Sequence, residues 1–132
     1  MNPADSDPRV LVVDHCRTVR NLVMKQLREV GFDDVHEAAD GDAALRMLLR
    51  EEFGCLITDL KMPGLSGLQL VRSIRAHPRL KRLPVLLITT EASREHVQEA
   101  VTLGVDGFLV KPFSAFQLFK KIQRAVASNI AA

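Results

Sequence analysis

The chain has no tryptophan, no tyrosine and only two cysteines among its 132 residues. Cys16 and Cys55 match neither a metal-ligand spacing nor a disulfide framework, which fits a protein of the reducing cytoplasm. Without tyrosine or tryptophan there is no ring of the usual kind to stack on a flavin. Excess charge of one sign is also missing. Eighteen basic residues stand against 16 acidic ones, a net charge of +2, so no whole-chain electrostatic case for nucleic acid exists. No apolar run approaches the ~20 residues that a bilayer span needs. Residues 1–8 are polar, contain Pro3 and Pro8 and lack an apolar signal core, so a flexible tail is expected there. What is present is ordinary for a soluble globular domain: 47% apolar and 26% charged residues, enough for one core and too few residues for two domains.

Apolar runs alternate with helical periodicity. After the short run Val10–Asp14, the residues Val19, Leu22, Val23, Leu27 and Val30 recur at helical spacing, and Gly31 supplies the stop. Asp34–Ala38 is a weaker strand, and Asp40-Gly41 is turn chemistry before a helix over Asp42–Glu52. Phe53–Ile57 reads as a buried strand that ends at Asp59, where Met62-Pro63-Gly64 forces a turn. Ser66 is placed to cap a helix burying Leu68, Leu70, Val71 and Ile74, which His77-Pro78 ends. Leu83–Thr90 is the longest β-like run, followed by a helix from Ser93 to Leu103 that stops at Gly104. Gly107–Lys111 then leads to a last helix from Ser114 to about Ser128. Strict alternation with apolar strands predicts an α/β fold: a parallel sheet covered on both faces and joined by right-handed crossovers. One domain over 9–128 is expected, with 129–132 a frayed end.

Three of these strand ends carry charge: Asp14, Asp59 and Lys111. In α/β sheets ligands bind at the carboxyl ends of the strands. Two acids and a lysine there make a site able to handle a phosphoryl group.

The sequence resembles the receiver domain of two-component response regulators, in particular the single-domain, CheY-like chemotaxis type. The resemblance runs from about Arg9 to Val126 and rests on four motifs, each closing an expected strand. They are Val-Val-Asp-His at 12–15, Thr-Asp-Leu-Lys-Met-Pro-Gly at 58–64, Leu-Ile-Thr-Thr-Glu at 87–91 and Val-Lys-Pro-Phe at 110–113. It implies a flavodoxin-like (βα)5 sandwich with strand order 2-1-3-4-5.

By that resemblance Asp59 is the phosphoacceptor, which becomes an acyl phosphate. Lys111 supplies positive charge, and the Thr89 hydroxyl bonds a phosphoryl oxygen. Asp14, Asp59 and the Lys61 backbone carbonyl are the implied ligands of Mg2+. Lys61 and Glu91 hold the variable positions that tune phosphoryl loss, and an exposed ion pair between them is expected to shield the acyl phosphate. Phe108 holds the switch aromatic without a tyrosine's hydroxyl; read without the resemblance, it is a core residue on a half-buried strand. The implied protein is not a turnover enzyme but one that assists its own phosphotransfer and dephosphorylation.

The chain departs from the family at His15, where a second acid is usual. Magnesium prefers oxygen ligands, whereas imidazole suits zinc, copper, iron or nickel. Weakened magnesium binding is therefore expected. Three readings of His15 follow: an exposed loop residue with water in the missing ligand position, which is preferred; a receiver that has lost efficient phosphorylation and acts as a binding module; or a transition-metal site gripped by His15, Asp14 and Asp59.

The resemblance implies as donor a sensor histidine kinase or phosphotransfer protein. Its output face is built from the fourth helix, fifth strand and fifth helix, including Val97, Phe108, Val110 and Lys121. In the last helix Leu118 and Ile122 fall on the core stripe, while Phe116 and Phe119 are placed to be exposed near Lys120, Lys121 and Arg124. With no output domain after Val126, a monomer acting on a separate protein such as a flagellar motor switch is expected. Two other Asp- or flavin-based chemistries fit less well. A haloacid-dehalogenase-like phosphatase needs a second Asp two residues after the nucleophile, where Lys61 or Cys16 stands, and His15-Cys16-Arg17-Thr18 is no flavin phosphate loop.

Overall fold

The computed structural model describes residues 8–131, with side chains through 127. Of the expected tail at 1–8, residues 1–7 lie outside the described residues. The expected frayed end falls on residues whose side chains lie outside them as well.

Five strands alternate with five helices. They are β1 (Val10–Val13), α1 (Arg17–Glu29), β2 (Val35–Ala38), α2 (Gly41–Arg50), β3 (Cys55–Asp59), α3 (Gly67–Ala76), β4 (Val85–Thr89), α4 (Arg94–Thr102), β5 (Gly107–Val110) and α5 (Ala115–Ala131). All strand pairs are parallel, and the order across the sheet is β2-β1-β3-β4-β5. This is the flavodoxin-like arrangement. Strands β1, β3 and β4 are buried throughout, which is why they read as unbroken apolar runs rather than alternating ones. Each is one to three residues shorter than its apolar run; β4 starts only after Pro84, which has no N–H to give to the ladder.

The period of two along each strand divides the core. Leu11, Val13, Leu56, Val85 and Leu87 face α2, α3 and α4 through Leu48, Leu70, Ile74 and Ala100. Val10, Val12, Ile57, Leu86 and Ile88 face α1 and α5 through Val23, Leu27, Leu118 and Ile122. The α1 stripe differs from the expected one. Val23, Met24 and Leu27 are its buried residues, and Leu22 is 55% exposed because it lies one helical step, about 100°, off that stripe.

Helix boundaries follow local chemistry. Ser66 and Gln69 form a reciprocal capping box at α3. Asp40 accepts from the Ala43 N–H at 2.8 Å, and Ser93 from the His96 N–H at 3.2 Å. Gly31 and Gly104 take positive φ at the ends of α1 and α4. Among the described residues no helix is long and apolar enough to cross a membrane.

Candidate functional site

Strand register assembles the site. Val13 pairs with Thr58, Asp59 with Ile88, and Thr89 with Val110. Asp14, Asp59, Thr89 and Lys111 therefore emerge within a residue or two of one another at the carboxyl edge of the sheet. Asp14, Thr58, Asp59 and Thr89 are the buried polar residues among those described, and all four lie at this edge. Burying carboxylates is costly unless they are paired, so their placement needs a physical account.

Lys111 supplies part of it. Its backbone N–H donates to the Thr89 carbonyl at 2.7 Å, which fixes where the side chain starts. Its Nζ then reaches Asp14 Oδ2 at 2.9 Å and Asp59 Oδ2 at 3.6 Å. Asp14 is further tied by the Cys16 N–H, which donates to Oδ1 at 2.9 Å. Its carbonyl accepts from Arg20 Nη1 at 2.7 Å, while Arg20 Nε holds Glu37 at 2.8 Å. Arg20 thus clamps the loop after β1 to β2. Its sequence position, inside a polar stretch of α1, gave no sign of this role.

Asp59 has less support. Burial pushes its carboxyl above the ordinary carboxylate range, and the neighbouring charge of Asp14 pushes the same way; Lys111 and the Lys61 and Leu60 backbone act against them. An acid that is buried, crowded by a like charge and only partly balanced by lysine is poised to exchange its environment for a better one.

His15 stands at the mouth, 51% exposed. Its Nδ1 is 3.7 Å from Asp14 Oδ1 and 3.9 Å from Asp59 Oδ2. One donor atom from each of the three residues lies within 4.8 Å of the others. Two carboxylates converging in this way fit a divalent cation, and the third donor is nitrogen where an all-oxygen set would suit magnesium.

Around this centre, Thr89 Oγ1 accepts from the Glu91 N–H at 3.2 Å, leaving its own hydroxyl proton to be donated. Lys61 Nζ and Glu91 Oε2 form an exposed pair at 2.7 Å across the mouth, and that lysine lowers the Glu91 carboxyl below its ordinary value. The remaining expected residues lie on another face. Val97, Phe108 and Lys121 are half-buried and Val110 is 45% exposed. Phe116 is exposed, with Lys120 Nζ 5.5 Å from its ring centre. Phe119 is not exposed as expected. It is half-buried against the α1–α5 core, its ring 6.1 Å from that of Phe32, because Phe32 follows Gly31 back under α5. A hollow of about 220 Å3 is lined by Leu109, Phe116, Gln117, Lys120, Lys121 and Arg124.

A family model described as the response regulator receiver domain matches residues 10–123. The chain belongs to this family. Within it the receiver is of the CheY-like chemotaxis type. It is 46% identical over 116 residues to the chemotaxis protein CheY of Pseudomonas aeruginosa, covering 88% of this chain and 94% of that one. The chemotaxis protein CheY4 of Vibrio cholerae has the same fold with a TM-score of 0.84, at 37% identity over 91% of this chain and 99% of that one. The receiver domain of the sensor histidine kinase PA1611 from P. aeruginosa, described with a magnesium ion coordinated in its active-site cleft, matches with a TM-score of 0.83. It is 26% identical, covering 92% of this receiver and 99% of that domain. Strand order and family membership thus agree.

Gly67 was missed by the sequence reading. It is the first residue of α3, and its α-carbon packs so closely on the Asp59–Leu60 backbone that no Cβ fits. Its one signal was a glycine directly after a capping serine, an unfavourable start for a helix unless something needs the space.

Proposed function

We propose that this receiver accepts a phosphoryl group on Asp59 from a phosphohistidine of a sensor kinase or phosphotransfer protein, and signals through a protein partner. The observation that carries the reading is the Asp59 carboxylate itself, buried at the end of β3 with Lys111 Nζ 3.6 Å away and Asp14 alongside.

An Asp59 oxygen attacks phosphorus, the bond to the donor imidazole nitrogen breaks, and that nitrogen leaves with the electron pair. Lys111 offsets negative charge gathering on the phosphoryl oxygens. The Thr89 hydroxyl is free to donate to one of those oxygens. Asp14, Asp59 and the Lys61 carbonyl would hold Mg2+, a metal that the PA1611 receiver is described as coordinating in its own active-site cleft, and the ion when bound supplies charge neutralisation for transfer. The nitrogen of His15 in the place of an acid weakens that binding without removing it.

The output face is the exposed strip of Val110 and Phe116 with Lys120 and Arg124, together with half-buried Phe108, Val97 and Lys121. An apolar floor with a basic rim suits an acidic, amphipathic segment such as one from a flagellar motor switch protein. A cytoplasmic monomer is the corresponding cellular form.

Intact mass after incubation with phosphoramidate or acetyl phosphate tests the reading, run with magnesium, with a chelator and with Asp59→Asn. The expected result is a magnesium-dependent gain of one phosphoryl group that the variant lacks. No gain with any donor at high magnesium would make this a receiver-shaped binding module instead.

A further inference from the structure

The geometry points to a cation site of altered selectivity: Asp14, His15 and Asp59 form a mixed oxygen–nitrogen donor set that takes a borderline transition dication, such as cobalt, nickel or zinc, in preference to magnesium. This rests on the proposed reading of the same edge of the sheet as the receiver's cation position.

Three observations support it. The first is direction. His15 Nδ1 is nearly equidistant from the two carboxylates, 3.7 Å from Asp14 Oδ1 and 3.9 Å from Asp59 Oδ2. Donors that share one cation at ~2.0–2.2 Å each lie about 3–3.5 Å apart at tetrahedral or cis angles, so these separations are within a few tenths of an ångström of a common metal.

The second is the division of labour on Asp14. Lys111 takes Oδ2 at 2.9 Å, and the oxygen that faces His15 is the other one, Oδ1. That oxygen receives the Cys16 N–H at 2.9 Å, which fixes its orientation but leaves a lone pair. On Asp14 the lysine and a cation therefore do not compete for one atom, whereas Asp59 Oδ2 faces both Lys111 Nζ at 3.6 Å and His15 Nδ1 at 3.9 Å. Asp59 is buried with Lys111 Nζ 3.6 Å away, and that lysine is shared with Asp14 at 2.9 Å, so a dication beside the two acids adds positive charge that one lysine does not supply.

The third is donor chemistry. Among the described residues this is the one group of three metal-ligating side chains with donors so close together. Magnesium holds its waters tightly and prefers oxygen ligands, whereas imidazole raises affinity for later first-row dications. One acid-to-histidine change at the mouth moves the set from the first class toward the second. The exposed position of His15 gives it the freedom to close the last few tenths of an ångström.

The test is titration of the full chain with cobalt chloride and, separately, magnesium chloride. Binding is followed by calorimetry, and cobalt also by its visible d–d absorption, with no phosphoryl donor present. His15→Ala and His15→Asp are run beside the native chain; His15 is half exposed, and a far-UV spectrum verifies that both variants are folded. Cobalt is expected to bind the native chain more tightly than magnesium, and His15→Ala to weaken cobalt at least about tenfold while affecting magnesium less. His15→Asp is expected to narrow the preference, gaining magnesium and losing cobalt relative to the native chain. If cobalt binding is unchanged in His15→Ala, the selectivity inference is overturned while the cation position survives. If neither metal binds any form, both fall together.

Discussion

Gly67 lies directly against the carbonyl oxygen of Asp59: a Cβ on it would overlap that oxygen and come within 3.0 Å of Leu60 Cα. The Gly67 N–H also donates to the Leu60 carbonyl at 3.0 Å, so α3 is docked on the end of the strand that presents Asp59. The contact is with backbone, which cannot swing aside as a flexible side chain would. Gly67→Ala must therefore displace either the helix or Asp59. It is expected to lower stability by about 1–3 kcal/mol, the usual range for overpacking, and to slow phosphoryl acceptance as well. Urea unfolding with phosphorylation kinetics on the same samples checks both. Unchanged kinetics beside lost stability would show that α3 moves and Asp59 does not.

That contact also shows where the sequence was legible and where it was not. Val10–Val13 and Val85–Thr89 could be located because strands buried on both faces must be apolar at every position, and Ser66 and Ser93 because capping needs particular side chains. Asp14, Asp59 and Lys111 stood out because charge at the end of an apolar run is conspicuous. Relations between elements were hidden. Nothing local says that Arg20 will reach the Asp14 carbonyl, or that Arg75 will bind the Gly104 and Leu83 carbonyls and Asp106, tying α3 to the segments flanking β4 and preceding β5. Phe119 was misplaced for the same reason. A helical wheel shows its angle from Leu118 but not that Phe32 comes up beneath it.

The raised proton affinity of Asp59 has a consequence for stability. Burial is the main cause, with the charge of Asp14 adding to it. A carboxyl that holds its proton more tightly folded than unfolded helps the fold while it is protonated. That help is fully present below the unfolded value and is lost as pH rises through the folded one. At neutral pH the ionised Asp59 is therefore a burden on the fold. Asp59→Asn is expected to be more stable than the native chain at pH 7, by roughly 0.5–2 kcal/mol, the usual gain from relieving a strained functional position. The gap should narrow as pH falls below the raised value. Urea midpoints across the acid range measure it, and an Asn variant less stable than the native chain at pH 7 would refute the account.

The pair between Lys61 and Glu91 spans the site mouth at 2.7 Å with both side chains more than half exposed. Exposed pairs contribute only about 0–1 kcal/mol, so a thermodynamic role is small. A kinetic one is different, since a side chain standing in the approach path of water acts by occupying space. Lys61→Ala is expected to leave the thermal midpoint almost unchanged and to shorten the lifetime of the acyl phosphate on Asp59. The half-life after removal of the phosphoryl donor is the measurement, and an unaltered half-life would reject shielding.

Two acids share one lysine in this site, since Lys111 Nζ touches Asp14 at 2.9 Å and Asp59 at 3.6 Å. With both carboxylates ionised the local formal charge is one negative in excess, held where water is largely excluded. A divalent cation that binds the folded chain and not the unfolded one stabilises it by mass action, about 2.7 kcal/mol at a hundredfold excess over Kd. The thermal midpoint is therefore expected to rise with added dication and to fall back when a chelator is added. Asp59→Asn should blunt the response by removing one ligand charge. Lys111→Met should steepen it, because both acids then depend on the cation alone, and the variant should be the least stable of the three when a chelator is present. A midpoint indifferent to dication in the native chain and in Lys111→Met alike would mean that these carboxylates do not hold a cation, whatever their spacing.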